Sequence, residues 1–421
     1  MQTKTDKQEH QNIDRLVLDN GITLISVENQ TADIIASQIF LKNAGARWDL
    51  TQTEAGLSHL VAAVITKGTQ NLSSVEIAER VESIGASFGA SAAADYFLMS
   101  IKTISADFAE LLKLGAEILR SPSFPEAEVE LEKQLALQNI RSQLEIPFNI
   151  AFKQLRQAIY QDHPYGVSIL GTPETVPSLN RDRLTQYHQT YFRPDNLVIS
   201  ICGRITHQDA ASLVNEVFGD WQVPETPIPT LKLPQLNSQP RDVRTHQETE
   251  QSIVMLGYLA PEVTSRDYLV LKLLSTYLGN GLSSRLFVEL REKRGLAYEI
   301  SAFYPTRLDS SCFVTYMGTA PENTAIALEG LRTEVERLCL VELTPEELLT
   351  AKNKLLGQYA LGKQTNADLA QVFGWYESLG LGIKFDSQFQ ESIAEITLDM
   401  VQTVASKYFL EPYISIVGTR V

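Results

Sequence analysis

The sequence predicts an α+β protein made of two homologous α/β sandwiches, each a largely antiparallel sheet with helices packed on it. Strand-like and helix-like segments are interspersed without the regular alternation that a parallel sheet requires. Their order is written twice, at offsets of about 210 to 220 residues, far longer than a solenoid repeat. Between the copies, Val223–Pro240 holds five prolines in eighteen residues. Proline neither continues a helix nor donates to a ladder, so this stretch reads as an extended linker. The expected division is 1–222, linker 223–240 and 241–421. A chain of 421 residues also exceeds what one core usually holds.

The elements follow in order. DRLVLDNGITLISVEN (Asp14–Asn29) sets Asn20-Gly21 between two alternating apolar runs, a hairpin signal. DIIASQIFLKNAG (Asp33–Gly45) continues as a strand, and GLSHLVAAVITKGT (Gly56–Thr69) reads as a helix. GASFGASAAADY (Gly85–Tyr96) is rich in small residues, which suits a strand or loop facing a chamber or another backbone. FPEAEVELEKQLALQNI (Phe124–Ile140) opens with proline and acidic residues, a good helix start, and LTPEELLTAKNKLLGQY (Leu343–Tyr359) repeats it. YHQTYFRPDNLVISICGRI (Tyr187–Ile205) runs from helix through a proline turn into an apolar strand closed by glycine. VASKYFLEPYISIVGTRV (Val404–Val421) does the same at the far end. In the second copy QSIVMLGYLAP (Gln251–Pro261) is a strand and GNGLSSR (Gly279–Arg285) a turn before a helix. That glycine-containing turn lacks the Lys-Ser/Thr of a phosphate loop. The helix ends at Gly295, a natural terminator, and Ala297–Tyr304 alternates like a strand.

Composition excludes several classes. A net charge of −15 and a pI near 5.0 leave no basic footprint for nucleic acid. Cys202, Cys312 and Cys339 are too few and scattered for a disulfide framework or a cysteine zinc site. The first residues lack the apolar region of a secretory signal, and no run is long and apolar enough to span a bilayer. A cytoplasmic setting is expected.

The helix at Gly56–Thr69 poses the functional question. A hydrolytic zinc needs three protein ligands, an open position and a carboxylate base. The motif H-x-x-E-H supplies two histidines at i and i+4 with the base between them. Here the same frame reads His59-Leu60-Val61-Ala62-Ala63. The first histidine remains, while methyl groups stand where the base and second ligand would be.

With Lys67-Gly68-Thr69, DHPYG (Asp162–Gly166), YFRPDNLVISICG (Tyr191–Gly203), the two-fold repeat and LSSRLFVELREKRGLAY (Leu282–Tyr298), the chain resembles a known family. It is similar over nearly its whole length to the insulinase-type (pitrilysin) metallopeptidases, in their mitochondrial-processing-peptidase-like subgroup. The resemblance implies a third zinc ligand from a downstream glutamate, and the matching position here is Asn139, with Glu145 out of register. His59 thus stands alone, with Ala62, Ala63 and Asn139 as degenerate positions. A site rebuilt from Glu54, Asp95 or Glu145 has no spacing to support it. His163 in DHPYG reads as a turn residue.

The resemblance further implies that Arg291 and Tyr298 reach across a closed chamber toward a zinc site. Tyr298 would donate a hydrogen bond to the oxyanion of the tetrahedral intermediate; Arg291 would hold substrate backbone or brace the tyrosine. Without the resemblance, Arg291 would pair with an acidic neighbour and Tyr298 would merely pack. Aligning VESIGASFGAS with REKRGLAYEIS on their glycines sets Val81 opposite Arg291 and Phe88 opposite Tyr298. The expectation is a non-zinc subunit of a heterodimeric processing endopeptidase, inactive alone and without a metal of its own. A homologous partner would carry the zinc, the substrate would be a peptide, and a homodimer is a further possibility. The rival expectations are a scaffold or peptide-binding protein of the same fold, and a peptidase acting by itself.

Overall fold

The computed structural model describes residues 13–49 and 52–420. In the front half, β1 (Ile13–Val17), β2 (Thr23–Glu28), β3 (Ile34–Leu41), β4 (Ser87–Ala92), β5 (Phe97–Ile104) and β6 (Leu197–Gly203) form one sheet. Its order is β1-β2-β6-β3-β5-β4. In the rear half, β7 (Asp242–His246), β8 (Ser252–Ala260), β9 (Glu299–Phe303), β10 (Ser311–Thr319) and β11 (Tyr413–Gly418) run in the order β7-β11-β8-β10-β9. Each sheet has one parallel pair, β2 with β6 and β7 with β11. The other pairs are antiparallel. Set β1 aside and the two sheets match strand for strand, as the repeat requires. The Asn20-Gly21 turn closes the first hairpin, with Val17 opposite Thr23 and Gly21 at φ +87.

Helices cover one face of each sheet from within the same half. In front, α1 (Leu57–Val64), α3 (Phe108–Arg120), α6 (Arg181–Tyr191) and α7 (His207–Phe218) share a core with Ile35, Ile39 and Leu41 of β3. α2 (Ser74–Glu82), held by a Ser73–Glu76 capping box, leads into β4. In the rear, α8 (Tyr268–Gly279), α9 (Thr324–Leu340) and α13 (Leu398–Tyr408) do the same over Val254 and Leu256 of β8. α10 (Pro345–Leu361) packs on α8, and α12 (Phe385–Glu395) fills the space beside them.

The opposite faces are covered by exchange. After α4 (Glu126–Gln143), the front-half helix α5 (Pro147–Tyr160) crosses to the rear sheet. There Ala151, Leu155, Ala158 and Ile159 bury against Ile253, Met255, Val314 and Tyr413. The rear-half helix α11 (Asn366–Ser378) crosses the other way, and its Leu369, Ala370, Phe373 and Tyr376 bury against Ile25, Val27, Phe40 and Val198. The leucine, isoleucine and phenylalanine side chains among these each contribute about 1.5–3 kcal/mol on burial. Gly374 lets α11 sit this low: a Cβ there would lie 2.5 Å from Cε2 of Phe40. The linker residues 223–240 form neither helix nor strand. Arg193 ties its start down, donating to the carbonyls of Thr226 (2.5 Å) and Pro224 (3.1 Å). Among the described residues no helix is long and apolar enough to cross a membrane, and the three cysteines are free.

Candidate functional site

The front site is built on α1. Gly56 opens the helix at φ +99, and a Cβ there would lie 2.8 Å from the carbonyl oxygen of Leu170. Asp49 caps the first turn, accepting from the N–H groups of Gly56 (3.0 Å) and Ser58 (2.9 Å). Burial pushes its carboxyl up to about 7 despite these bonds. Leu57, Leu60, Val61 and Val64 anchor the helix in the core. His59 and Ala63 are four apart, hence on one face, and both are half-buried. Ala62 is buried.

α1 packs on α4, which carries Glu132 and the exposed Asn139. Burial pulls the His59 imidazole below its usual range, and the nearby Glu132 carboxylate opposes that. Glu132 itself pairs with Lys67 at 3.2 Å. The neighbour of His59 is therefore a carboxylate already engaged by a lysine, which sequence reading did not single out.

The residues present do not fit a catalytic zinc. Besides His59, the motif positions hold a methyl group at Ala63 and an amide at Asn139, with no carboxylate at Ala62. Glu54 is buried and ion-paired with Arg183. Asp95 is buried, pairs with Arg47 at 3.2 Å and accepts from the Tyr165 hydroxyl. Glu145 lies exposed beyond the end of α4. Among the described residues no group of three or more His, Cys, Asp or Glu side chains could hold a metal ion. His163 is a turn residue: fully buried, it accepts the Tyr165 N–H at Nδ1 (3.1 Å), with Asp309 3.8 Å from Nε2.

The rear site sits where a helix gives way to β9. The sequence suggests an ordinary last helical turn for Arg291; the backbone is instead a π turn over Phe287–Glu292. The Lys293 N–H donates to the Val288 carbonyl five residues back (3.1 Å), and the Leu296 N–H to Leu290, six back (2.9 Å). In front, the matching bond runs from Ala86 to Val81, only five back (3.1 Å). The counterpart of Val81 is therefore Leu290, and both are buried. Arg291 is the residue that the wider turn adds, which corrects the glycine-anchored pairing of Val81 with Arg291.

Arg291 is exposed, its guanidinium 4.8 Å from the centre of the Phe287 ring. Tyr298 is 58% exposed, its backbone N–H bonded to the Gly318 carbonyl (2.9 Å). Among the described residues neither side chain has an ion pair or a side-chain hydrogen bond. Among the described residues the acidic partner that a purely structural Arg291 calls for is missing. The opposite holds for Phe88, which packs against the front core. The GNGLSSR turn is tied to α10, because Lys354 Nζ donates to the Asn280 carbonyl and to Ser283 Oγ (3.3 Å).

The chain resembles known proteins over most of its length. The family model described as insulinase (peptidase family M16) matches residues 23–173. The model described as peptidase M16 inactive domain matches residues 178–355. A Bacillus subtilis protein described as the uncharacterized zinc protease YmxG is 28% identical, over 95% of this chain and 97% of its own. An uncharacterized zinc protease of Rickettsia felis is 27% identical over 96% of each. In fold, the chain matches a solved peptidase M16 inactive domain from Pseudomonas fluorescens with a TM-score of 0.90, at 24% identity over 97% of this chain and 99% of that one. A Helicobacter pylori protease superposes with a TM-score of 0.89 at the same identity and coverage. One family's two models run through both halves in order, so the chain belongs to the insulinase family, peptidase family M16.

Proposed function

We propose that this chain is the zinc-free subunit of a two-chain zinc endopeptidase of the processing type. A homologous subunit contributes the complete H-x-x-E-H site, and the two enclose a peptide. The observation that carries this reading is the contrast between a metal frame reduced to His59 and an exposed Arg291/Tyr298 pair whose side chains have, among the described residues, no ion pair or side-chain hydrogen bond.

The chemistry of this chain's residues is then simple. An extended peptide pairs with an open sheet edge, and β4 and β9 are edges of their sheets. The Tyr298 phenol donates a hydrogen bond to the oxygen of the scissile carbonyl as negative charge develops there. The Arg291 guanidinium holds a neighbouring carbonyl of the peptide backbone. A neutral donor aimed at that oxygen stabilises the transition state more than the ground state.

The test is reconstitution. The purified chain, a homologous subunit with the full motif, and their mixture are assayed on a fluorogenic peptide, with bound zinc measured in each. Cleavage should appear in the mixture, and zinc should follow the partner. Hydrolysis by this chain alone, with stoichiometric zinc, would sink the reading. A mixture that binds peptide without cutting it would favour the scaffold alternative.

A further inference from the structure

A cavity of about 320 Å³ opens between α5 and the segment from Gly166 to Pro173. A smaller one of about 50 Å³ lies beside it, reaching Pro305 and Arg307 of the rear half. The two share Phe152, Arg156, Val167 and Ile169 in their walls, so they mark one recess where the halves meet.

Its charge is the informative feature. The chain carries 51 acidic and 36 basic residues, yet these walls hold Arg47, Lys153, Arg156 and Arg307 and no carboxylate. Arg47 is paired with Asp95. Arg156 and Arg307 are half-buried and, among the described residues, neither has an ion-pair partner. Nε of Arg156 is buried with no hydrogen-bond partner, and so is Nε of Arg47. Burial pulls the Arg156 guanidinium down, and the neighbouring Arg307 charge adds to that. Aromatic faces give partial relief: Arg156 lies 5.7 Å from the Phe152 ring centre and Arg307 5.3 Å from that of Tyr165. Such contacts do not replace a counter-ion.

We propose that this recess binds a compact organic oxyanion, a carboxylate or a phosphate, gripped by Arg156 and Arg307 in the small cavity with its body in the larger one. Guanidinium groups match both anions with paired N–H donors, which a lysine cannot do. Two carriers bring that chemistry, the free C-terminus of a peptide and a small phosphate ester.

The full chain is titrated by calorimetry and thermal melting with inorganic phosphate, phenyl phosphate, a tripeptide acid and the same tripeptide as its amide. At least one anion should bind and raise Tm, and the amide should not. A response to the acid alone assigns a peptide terminus, and a response to the phosphates assigns a phosphate ester. Arg156→Gln and Arg307→Gln should each weaken binding by about 10- to 100-fold, while Arg156→Gln raises Tm without a probe by removing an unpaired charge. A chain that answers no probe overturns the proposal, as does a response that survives in the double variant. A lower probe-free Tm in Arg156→Gln would also overturn it, by showing that Arg156 is a structural cation.

Discussion

The two halves turn the same corner differently. In front, α2 ends at Glu82, and the chain passes Gly85 into β4 with Val81 and Phe88 turned to the core. In the rear, the chain passes Gly295 into β9, with Leu290 buried while Arg291 and Tyr298 stand outside. Both glycines hold φ +63. One added residue in the rear turn makes the difference. The apolar anchor stays in place, the glycine stays in place, and a cation gains a position on the surface. π turns of this kind are frequent at functional sites. The front half shows the complementary pattern, since α1 forms in full while its motif frame holds His59 with alanines at 62 and 63.

The comparison can be broken from either side. Ala63→His with Asn139→Glu would return two ligands beside His59; such a variant should retain one zinc per chain after dialysis, by elemental analysis, where the parent retains none. Failure would mean the α1–α4 frame is not a decayed metal site. Tyr298→Phe should lower kcat of the reconstituted peptidase by about 10²–10³ with Tm unmoved. Full activity in that variant would remove the rear site from catalysis.

Stability measurements sharpen the structural half. Leu290→Ala should cost about 2–5 kcal/mol and Val81→Ala about 1–3 in denaturant melts, as befits equivalent core anchors. His188 supplies a pH test confined to the front. It is buried in α6, donates from Nε2 to the Leu119 carbonyl (2.8 Å), and is held by burial at about 4 against 6.5. The unfolded chain takes up that proton first, so stability is full above about pH 6.5 and falls on acidification toward about 4. At pH 5 the loss is about 2 kcal/mol, and the difference between parent and His188→Phe should show it. The corresponding residue of α13 is Ala405, which has nothing to titrate: Phe409 N–H bonds to Ala405 as Phe192 does to His188. Arg291→Ala should change stability by no more than about 0.5 kcal/mol, the mark of a residue that the fold does not use.

Much of this architecture is written locally. Asn20-Gly21, the proline turns after Tyr191 and Tyr408, and the paired helix starts at Phe124 and Leu343 each act through neighbouring residues, so periodicity and turn chemistry reveal them. The alanines at 62 and 63 in the H-x-x-E-H frame, and the amide at Asn139, are legible for the same reason, because a motif is a spacing along one chain. Exchange of α5 and α11 is not. Their apolar faces show what is buried, but not which sheet receives it. Nor does the sequence show the π turn, since one added residue in SRLFVELREKRG leaves the apolar spacing intact. Arg156 and Arg307 lie in separate halves, and only folding brings their charges to one recess.

The crossed helices carry a mechanical consequence. Each half wears the other's helix as its back, so the halves cannot swing apart without stripping Leu155 or Phe373 into water. Opening the two halves along residues 223–240 would therefore cost the burial that α5 and α11 supply. Cutting that connector should leave two pieces that remain clasped, and neither should keep its shape when expressed without the other.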